Sequence, residues 1–335
     1  MTPKARSKSK VSNFIVKILI VGYSSVVKRR MLQALLLLPK VERVDIASRH
    51  GVQADDLPAN WDGDLYTDYT LALERSQADL VYISLINSLH EEWVTAALRS
   101  GKHVVVDKPA LVSLAATERL LDVAGHAGLC LAEAVVFADH SQFDTIRGLI
   151  EESGGINRLM AVLSFPPLPT SNFRNYPELG GGALLDLGPY AAASSRLFFK
   201  DAPEEVLCRI LSTNPRTNVE TAFMIAARYP AGGGFLGHFG FDTEYQNCMT
   251  ALGPQISLSV NRVFTTPFDL ESKIFVSRRN GQSTVTCPAV DMFGLFFTRV
   301  IRAIEARAWE PFIWAMHQDA KFRERMRWSA GEGGR

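Results

Sequence analysis

The sequence predicts an α/β fold in two parts: an N-terminal parallel sheet, and a C-terminal α+β domain with a large, mostly antiparallel open sheet. From residue 14 to about residue 131, short apolar runs alternate with helical stretches, which is the pattern of parallel strands joined by crossover helices. Beyond Asp139, strand-like runs follow one another with Gly and Pro between them, which indicates antiparallel strands. We therefore predict one domain over 14–133 and a second over 134–328.

In the N-terminal part, strands are predicted at 16–21 and 41–47, separated by a helix over 27–38. The remaining strands are predicted at 78–84, 103–106 and 129–133, and the remaining helices at 90–100 and 113–127. This arrangement is typical of a nucleotide-binding sheet, in which ligands bind at the carboxyl ends of the strands.

The C-terminal part begins with a helix that ends near residue 152, a strand at 158–165 and a helix led by glycines 180–182. Further strands are predicted near 204–211, 219–229, 234–241, 246–252, 256–260, 271–277 and 282–288, and two closing helices at about 291–308 and 311–326. Such a sheet leaves one face for helices and the other for a partner subunit.

Composition excludes several classes of protein. With 47% hydrophobic residues, 21% charged residues and a net charge of +1, the chain lacks the basic excess that nucleic-acid binding requires. No run reaches the ~18 apolar residues of a membrane span. The four cysteines form no C-x-x-C pair, so we predict no metal site and no disulfide framework, and a reducing cytoplasm fits best.

Residues 1–13 are rich in Lys and Arg, and an apolar stretch follows over 14–21. A signal peptide is the alternative, but Lys17 interrupts that stretch and no small-residue cleavage site follows. We predict a disordered basic tail.

Two motifs indicate an active site. Lys108 follows an apolar strand at the position where open α/β sheets bind ligands, between Asp107 and Pro109. In the second motif, Asp186 and Tyr190 are four residues apart after the glycines, so both lie on one face of a helix. Alone, Asp186 is as well explained as a helix cap and Tyr190 as a core residue. Together with Lys108, they suggest a catalytic set.

The first turn suggests a cofactor site. Gly22 stands where a G-x-G-x-x-G fingerprint would begin, but the other glycines are missing, and Ser24 is left to offer its N–H and hydroxyl to a pyrophosphate. At the end of the second strand, Ser48 and Arg49 replace the acidic residue that would bind a ribose diol. Both donate to phosphate oxygens, so we predict NADP(H), with NAD(H) possible; alternatively, Arg49 is simply a solvated strand-end residue.

These pieces, in this order, resemble the Gfo/Idh/MocA family of oxidoreductases along nearly the whole chain. The resemblance rests on Gly22, Asn87–His90, 101–109, Glu133 with His140 and Gln142, and 180–190. The chain departs from the family in having D-K-P for E-K-P, one fingerprint glycine, and Tyr190 for a histidine. That tyrosine, with 46–49, 241–247 and 261–264, is similar to NDP-hexose 3-ketoreductases.

The resemblance implies a Rossmann-type N-terminal domain and a site for each ligand. The implied cofactor residues are Gly22, Tyr23, Ser24, Ser25, Val26, Ser48, Arg49, Leu85, Asn87, His90, Asp107 and Lys108. The implied substrate residues are Lys108, Glu133, Phe137, His140, Gln142, Arg174, Tyr176, Asp186, Tyr190 and Tyr245. Alternatively, His90 caps its helix and His140 is structural; Arg174 suits a pyrophosphate.

Reduction of a ketone builds charge on oxygen, so the site must supply a proton and a positive neighbour. Tyr190 and Lys108 can do both, and we expect the ammonium to lower the phenol pKa from its usual ~10. Asp186 either orients Lys108 or binds a sugar hydroxyl. We predict hydride transfer at C3 of a nucleotide-linked sugar, leaning towards reduction.

Three alternatives remain open. The resemblance equally admits a UDP-N-acetylglucosamine 3-dehydrogenase that uses NAD in the oxidative direction, and a free-sugar or inositol dehydrogenase, for which the tyrosine is less expected. A different class is a catalytically silent sensor of dinucleotide or sugar. By the same resemblance, we expect a homodimer or homotetramer through the C-terminal sheet.

Overall fold

The computed structural model describes residues 14–331. The predicted basic tail over 1–13 lies outside the described residues. Within them, the chain forms a parallel sheet and a larger mixed sheet, each with helices packed against it.

The first sheet has six parallel strands in the order β3-β2-β1-β4-β5-β6. Its strands are β1 Val16–Val21, β2 Val41–Ala47, β3 Leu65–Tyr66, β4 Leu80–Ile83, β5 His103–Asp107 and β6 Leu131–Ala134. The connecting helices are α1 Leu32–Leu36, α2 Tyr69–Arg75, α3 His90–Arg99 and α4 Leu114–Ala127. The predicted Rossmann-type sheet is confirmed.

Both faces of this sheet are covered, which explains why its strands are apolar throughout. Along β1, Ile18 and Ile20 join one hydrophobic cluster, while Leu19 and Val21 join the cluster on the opposite face. This alternation follows from the two-residue period of a strand. A parallel sheet buried on both sides therefore needs continuous apolar runs, and those runs were its sequence signal.

Two short elements were not predicted, and one predicted helix is irregular. β3 has two residues and α2 has seven, too few to give a clear periodic pattern. Asp68 caps α2 by accepting the Leu71 amide at 2.8 Å. The predicted helix over 27–38 begins as a π-helix at Val27–Met31 and ends at Leu36.

The second sheet has eight strands in the order β14-β13-β12-β11-β7-β10-β9-β8. Its strands are β7 Arg158–Ser164, β8 Glu205–Thr213, β9 Glu220–Arg228, β10 Gly234–Gly240, β11 Gln246–Leu252, β12 Ser257–Asn261, β13 Ser272–Arg278 and β14 Gly281–Cys287. β7 and β10 pair in parallel and all other neighbours are antiparallel. The mostly antiparallel sheet is confirmed.

The remaining helices are α5 Gln142–Glu152, α6 Ala183–Phe198, α7 Met292–Ala306 and α8 Glu310–Ser329. α6 covers one face of the second sheet, and α8 bridges the two sheets by contacting α6, α4 and β6. The other face of the second sheet exposes large apolar side chains, including Leu207, Leu211, Met224, Leu236 and Phe275. Through α6, the second sheet presents Asp186 and Tyr190 to the end of β5.

Candidate active site

The carboxyl ends of β1, β2, β4 and β5 lie side by side. In the strand register, Val21 pairs with both Ala47 and Ile83, and Ile83 pairs with Val106. The residues that follow these strands therefore share one edge of the sheet, which is the ligand-binding edge of an open parallel sheet.

The first turn at this edge requires glycine. Gly22 has φ +98°, a backbone conformation that side-chain-bearing residues rarely adopt, and an added Cβ would lie 2.2 Å from the Ser84 carbonyl oxygen. Ser24 continues the turn, and its hydroxyl lies 2.7 Å from the Ser84 hydroxyl. Ser84 in turn donates to Asp107 at 2.6 Å. The turn after β1 is thus tied to the end of β5.

Asp107 is therefore held by its neighbours. Besides the Ser84 bond, its carboxylate accepts a hydrogen bond from the Tyr82 hydroxyl. Burial, followed by the charge of Asp107, raises the pKa of Tyr82 well above 10, so this phenol stays a donor. The bonds from Tyr82 and Ser84 thus hold Asp107, the residue directly before Lys108, in place.

The end of β2 presents one exposed cation. The Arg49 guanidinium lies 4.7 Å from the Tyr69 ring centroid and 5.6 Å from that of Trp93, so it is stacked but open to solvent. Ser48 is buried and its hydroxyl donates to the Gly51 carbonyl at 3.1 Å. Of the predicted pair, Arg49 is exposed and the Ser48 hydroxyl is bonded within the turn, while phosphate binding by either residue stays a prediction.

Lys108 and Asp186 meet as predicted. The Lys108 ammonium donates to the Asp186 carboxylate at 3.0 Å and to the Asp186 backbone carbonyl at 2.8 Å. The second carboxylate oxygen lies 2.8 Å from Nε of Arg174. Burial by itself raises the pKa of the Asp186 carboxyl, but Lys108 and Arg174 outweigh it and lower the pKa to about 2. Asp186 is thus an ionised, buried carboxylate between two cations.

Tyr190 packs into an aromatic wall beside Lys108. Its ring centroid is 5.1 Å from the Lys108 ammonium, 5.6 Å from the Phe137 ring and 5.4 Å from the Phe264 ring. Burial raises the pKa of Tyr190 above 10, and the nearby Lys108 offsets only part of that rise. The expected lowering of this pKa is wrong for this structure, because desolvation outweighs the ammonium, which is itself engaged by Asp186.

The start of α6 is built by close contacts at the glycines. Gly182 has φ +111°, and an added Cβ would lie 2.1 Å from a Glu220 carboxylate oxygen. That carboxylate accepts the Leu184 amide at 3.2 Å, so it caps α6 from the second sheet. Asn87, buried after β4, donates to the Gly180 carbonyl at 2.8 Å. The glycine segment thus positions Asp186 against the first sheet.

Four of the residues predicted to bind ligands are buried in this structure and bond to protein groups. His90 is fully buried, with Nδ1 2.8 Å from the Pro109 carbonyl and Nε2 3.0 Å from the Leu85 carbonyl. Glu133 accepts the Ala110 amide at 2.8 Å. His140 accepts the Gln142 amide at 3.1 Å, and Gln142 donates to the Val263 carbonyl at 3.3 Å. In this structure these buried groups bond neighbouring loops, and their predicted contacts with cofactor or substrate stay predictions.

The other predicted residues lie in loops or at the start of a helix, and several of them bond neighbouring backbone. Tyr23 donates to the Asp56 carbonyl at 2.6 Å, Ser25 accepts bonds from Arg29, and Tyr176 donates to the Thr170 carbonyl at 3.0 Å. Tyr245 is 42% exposed. Val26 and Leu85 are partly buried and pack on the hydrophobic core.

Sequence reasoning missed several residues that shape the site. Phe264 contacts Tyr190, Arg262 lies over the Tyr245 ring at 5.6 Å, and Ser84 anchors Asp107. The segment 261–264 did carry a signal through the resemblance, whereas Ser84 followed a strand without any distinguishing pattern.

Some features are absent from the described part of the chain. Over residues 14–331, no three His, Cys, Asp or Glu side chains cluster as a metal site. Among the helices of the same range, none has both the length and the apolar composition for crossing a membrane. All four cysteines fall in this range and are free thiols.

A parallel sheet with a glycine turn after its first strand, and a lysine, a carboxylate and a phenol at its carboxyl edge, defines a dinucleotide-dependent oxidoreductase. Residues 16–135 match the model of the oxidoreductase family with an NAD-binding Rossmann fold, and residues 143–259 match the GFO/IDH/MocA C-terminal domain. The chain belongs to the Gfo/Idh/MocA family of oxidoreductases, as the sequence predicted.

Two individual proteins are similar to this chain over most of their length. The chain is 32% identical over 295 residues to a dTDP-3,4-didehydro-2,6-dideoxy-alpha-D-glucose 3-reductase of Saccharopolyspora spinosa, covering 87% of this chain and 88% of that relative. The crystal structure of KijD10, a 3-ketoreductase from Actinomadura kijaniata in complex with NADP and TDP-benzene, matches with a TM-score of 0.87 and 28% identity, over 94% of this chain and 98% of KijD10. The first relative is thus named as a reductase of a dTDP-sugar, and KijD10 as a 3-ketoreductase.

A more distant match shows the fold alone. UDP-N-acetylglucosamine 3-dehydrogenase GnnA from Acidithiobacillus ferrooxidans has a TM-score of 0.76 at 15% identity, over 96% of this chain and 99% of GnnA. The two-sheet architecture is therefore shared beyond the reductases.

Proposed function

We propose that this protein is an NADPH-dependent reductase of the C3 ketone of a dTDP-linked hexose. The observation that carries the proposal is the grouping of Lys108, Asp186 and Tyr190 at the carboxyl edge of the first sheet. The names of the 32% identical relative and of KijD10 support the choice of substrate class.

Tyr190 is the proton donor to the ketone oxygen. Because burial raises its pKa above 10, the phenol is protonated at neutral pH and can deliver a proton as alkoxide charge develops. Lys108 stabilises the same charge, and its ammonium is held in place by the Asp186 carboxylate. After each turnover, solvent returns the proton to Tyr190.

The residues at the carboxyl edge fit a dinucleotide. Gly22 lets the turn after β1 run close to the sheet, and Arg49 offers an exposed guanidinium at the end of β2, where a 2′-phosphate would bind. When bound, NADPH supplies the hydride that the sugar carbon accepts. NADP complexes of KijD10 support NADP(H) over NAD(H).

Two sets of residues support the sugar and nucleotide. Phe137 and Phe264, each only 1% exposed, pack behind the Tyr190 ring and position its phenol for the sugar. Arg174, Tyr176 and Tyr245 then bind the diphosphate and base. Arg174 uses Nε for Asp186, which leaves its terminal nitrogens to donate to phosphate oxygens.

Oxidation at C3 is the second candidate, because the same residues serve both directions. It needs the phenolate of Tyr190 as a base, and the raised pKa of Tyr190 disfavours that state at neutral pH. The structure therefore favours reduction. A silent sensor would not need the buried Lys108–Asp186 pair, whose desolvation is costly.

The open face of the second sheet supports a homodimer or homotetramer. Its exposed leucine, methionine and phenylalanine side chains form an apolar surface of the kind that a second subunit covers.

We further propose a cytoplasmic location.

The test is isotope transfer. Purified protein is supplied with NADPH carrying deuterium at the transferable C4 position and a dTDP-linked 3-keto-6-deoxyhexose. In parallel, NADH replaces NADPH, free sugars replace the dTDP-sugar, and a UDP-linked sugar is supplied with NAD⁺ or NADP⁺ as the oxidant. We expect deuterium at C3 of the dTDP-sugar. Deuterium at another carbon, or turnover of free sugars only, contradicts the proposal; exclusive use of NAD with UDP-sugars favours the dehydrogenase.

A further inference from the structure

Three consecutive residues after Lys108 are each held by a side chain from a different element. His90 of α3 lies 2.8 Å from the Pro109 carbonyl, Glu133 of β6 accepts the Ala110 amide at 2.8 Å, and Arg323 of α8 donates to the Leu111 carbonyl at 3.4 Å. A loop is usually held by its own turns and by solvent. In this protein, the backbone of the loop after Lys108 is instead bonded by three buried side chains from α3, β6 and α8.

Glu133 and Arg323 are also partners of each other. The Arg323 terminal nitrogen lies 3.7 Å from the same Glu133 oxygen that accepts the Ala110 amide, and the side chains are only 8% and 2% exposed, respectively. Because a lone buried charge is strongly destabilising, each of these groups needs oppositely charged neighbours. Glu133 and Arg323 provide them for each other, together with the adjacent Arg196–Asp319 pair. The Glu133–Arg323 pair therefore joins the end of β6 to α8 directly beneath the Lys108 loop.

A second arginine of α8 shows what an ordinary contact between this helix and a neighbouring segment looks like. The same turn of α8 also carries Arg325, which donates to the Glu204 carbonyl at 2.9 Å and to the Pro203 carbonyl, in the segment that leads into β8. Arg325 and Arg323 thus make the same kind of bond from the same helix. Arg327 of α8 also bonds this loop, at the Val112 carbonyl, but it is 26% exposed and its carboxylate partner is Glu324 on its own helix. Of these three arginines, Arg323 alone is deeply buried and paired with the carboxylate that also accepts the Ala110 amide.

We propose that Glu133 and Arg323 are positioning residues: by holding the loop after Lys108, they fix the distances from the Lys108 ammonium to the Asp186 carboxylate and to the Tyr190 ring. The inference rests on the proposed function, because it assigns Lys108 to the reaction. The Lys108 ammonium must remain within hydrogen-bond distance of Asp186 and close to the Tyr190 ring. A displacement of about 1 Å in such a group can lower turnover about 100-fold.

The test compares Arg323→Met, Arg323→Lys and Glu133→Gln with the matched control Arg325→Met. Each protein is assayed for kcat, for KM of the dTDP-sugar and for NADPH affinity, at a temperature where circular dichroism shows it folded. We expect Arg323→Met to lower kcat by about 10- to 100-fold with KM changed less than about twofold. Arg323→Lys, which keeps the charge, should recover part of kcat, and the control should match wild type.

Hydrogen exchange gives a readout that does not depend on turnover. The Ala110 amide, bonded to Glu133, should exchange at least about tenfold faster in Arg323→Met and Glu133→Gln than in wild type or Arg325→Met. If kcat and Ala110 exchange in the Arg323 variants equal those of the control, the positioning role is wrong. If wild type reduces no dTDP-sugar, the proposed function fails, and the exchange rates alone decide whether the pair holds the loop.

Discussion

The Lys108 ammonium and the Asp186 carboxylate lie 3.0 Å apart, although 78 residues separate them in the chain. Lys108 follows a strand of the first sheet, whereas Asp186 is on the helix that covers the second sheet. Their contact therefore assembles the site only when both sheets have formed and packed. Since Arg174 also faces Asp186, this carboxylate lies between two cations, and the charges that act on Tyr190 are those of Lys108, Arg174, Asp186 and Asp107.

Replacing Lys108 with Met should abolish most turnover while cofactor binding persists. The substitution keeps a long apolar side chain but removes the charge that stabilises the developing alkoxide, so we expect kcat to fall by about 100-fold or more. Steady-state kinetics and NADPH fluorescence titration measure the two effects. Lys102→Met is the control, because Lys102 donates to the Ser76 and Ala78 carbonyls at the opposite end of β5. Equal loss in both variants would indicate a general effect on folding.

The pH dependence of reduction should report Tyr190. A proton donor is active below its pKa, and burial places that pKa above 10, so the rate should stay level from neutral pH to about 10 and fall as pH rises further. Tyr190→Phe keeps the ring between Phe137 and Phe264 and should lower kcat by about 100-fold and remove the alkaline limb.

Tyr229→Phe serves as the control for that experiment, since Tyr229 is buried against Ser195 away from the site. Its profile should superimpose on that of wild type. An unchanged alkaline limb in Tyr190→Phe would assign the proton donor to another group.

Much of this site was predictable because strand ends and helical spacing are local features. The apolar run before Lys108 placed the lysine at a strand end, and the four-residue spacing of Asp186 and Tyr190 placed both on one helix face. What a sequence pattern does not show is burial. His90 and Gln142 have the chemistry of ligand-binding residues, yet their side chains are enclosed. The pKa of Tyr190 was misjudged for the same reason. Its desolvation depends on the packing of its own helix against the segments that carry Phe137 and Phe264, which are distant in sequence.

Cofactor preference should depend on Arg49. Because its guanidinium stacks on Tyr69 and remains exposed, Arg49→Ser removes a charge-assisted donor without opening the core. We expect affinity for NADPH to fall about tenfold or more and affinity for NADH to change little, as measured by calorimetry. Arg99→Ser, at the far end of α3, should affect neither cofactor. A parallel loss of both affinities would mean that Arg49 does not distinguish the 2′-phosphate.

The open face of the second sheet should control assembly. Leu236, on β10, is 53% exposed and lies among other exposed apolar side chains. Leu236→Lys places a charge in an interface that must exclude water, so it should shift the protein towards monomer in sedimentation velocity. Leu295→Lys, at a 39% exposed position on α7, is the matched control. If wild type sediments as a monomer, this face is not a subunit interface.

The stability that Asp186 contributes should disappear in acid. Its pKa is lowered from 3.8 to about 2, so the folded state favours the ionised carboxylate by about 2 kcal/mol. A carboxyl group with a depressed folded-state pKa stabilises the fold above its unfolded pKa, near 4, and loses that contribution as pH falls towards about 2. Asp186→Asn should therefore be less stable than wild type at pH 7 and at pH 5, and the difference should shrink at pH 3. Urea unfolding at the three pH values measures this difference in the free energy of unfolding.

Asp144→Asn is the control. Its carboxylate side chain is 79% exposed, so the substitution should change stability little at any pH. A deficit in Asp186→Asn that is as large at pH 3 as at pH 7 would trace the loss to side-chain packing, not to the charge between Lys108 and Arg174.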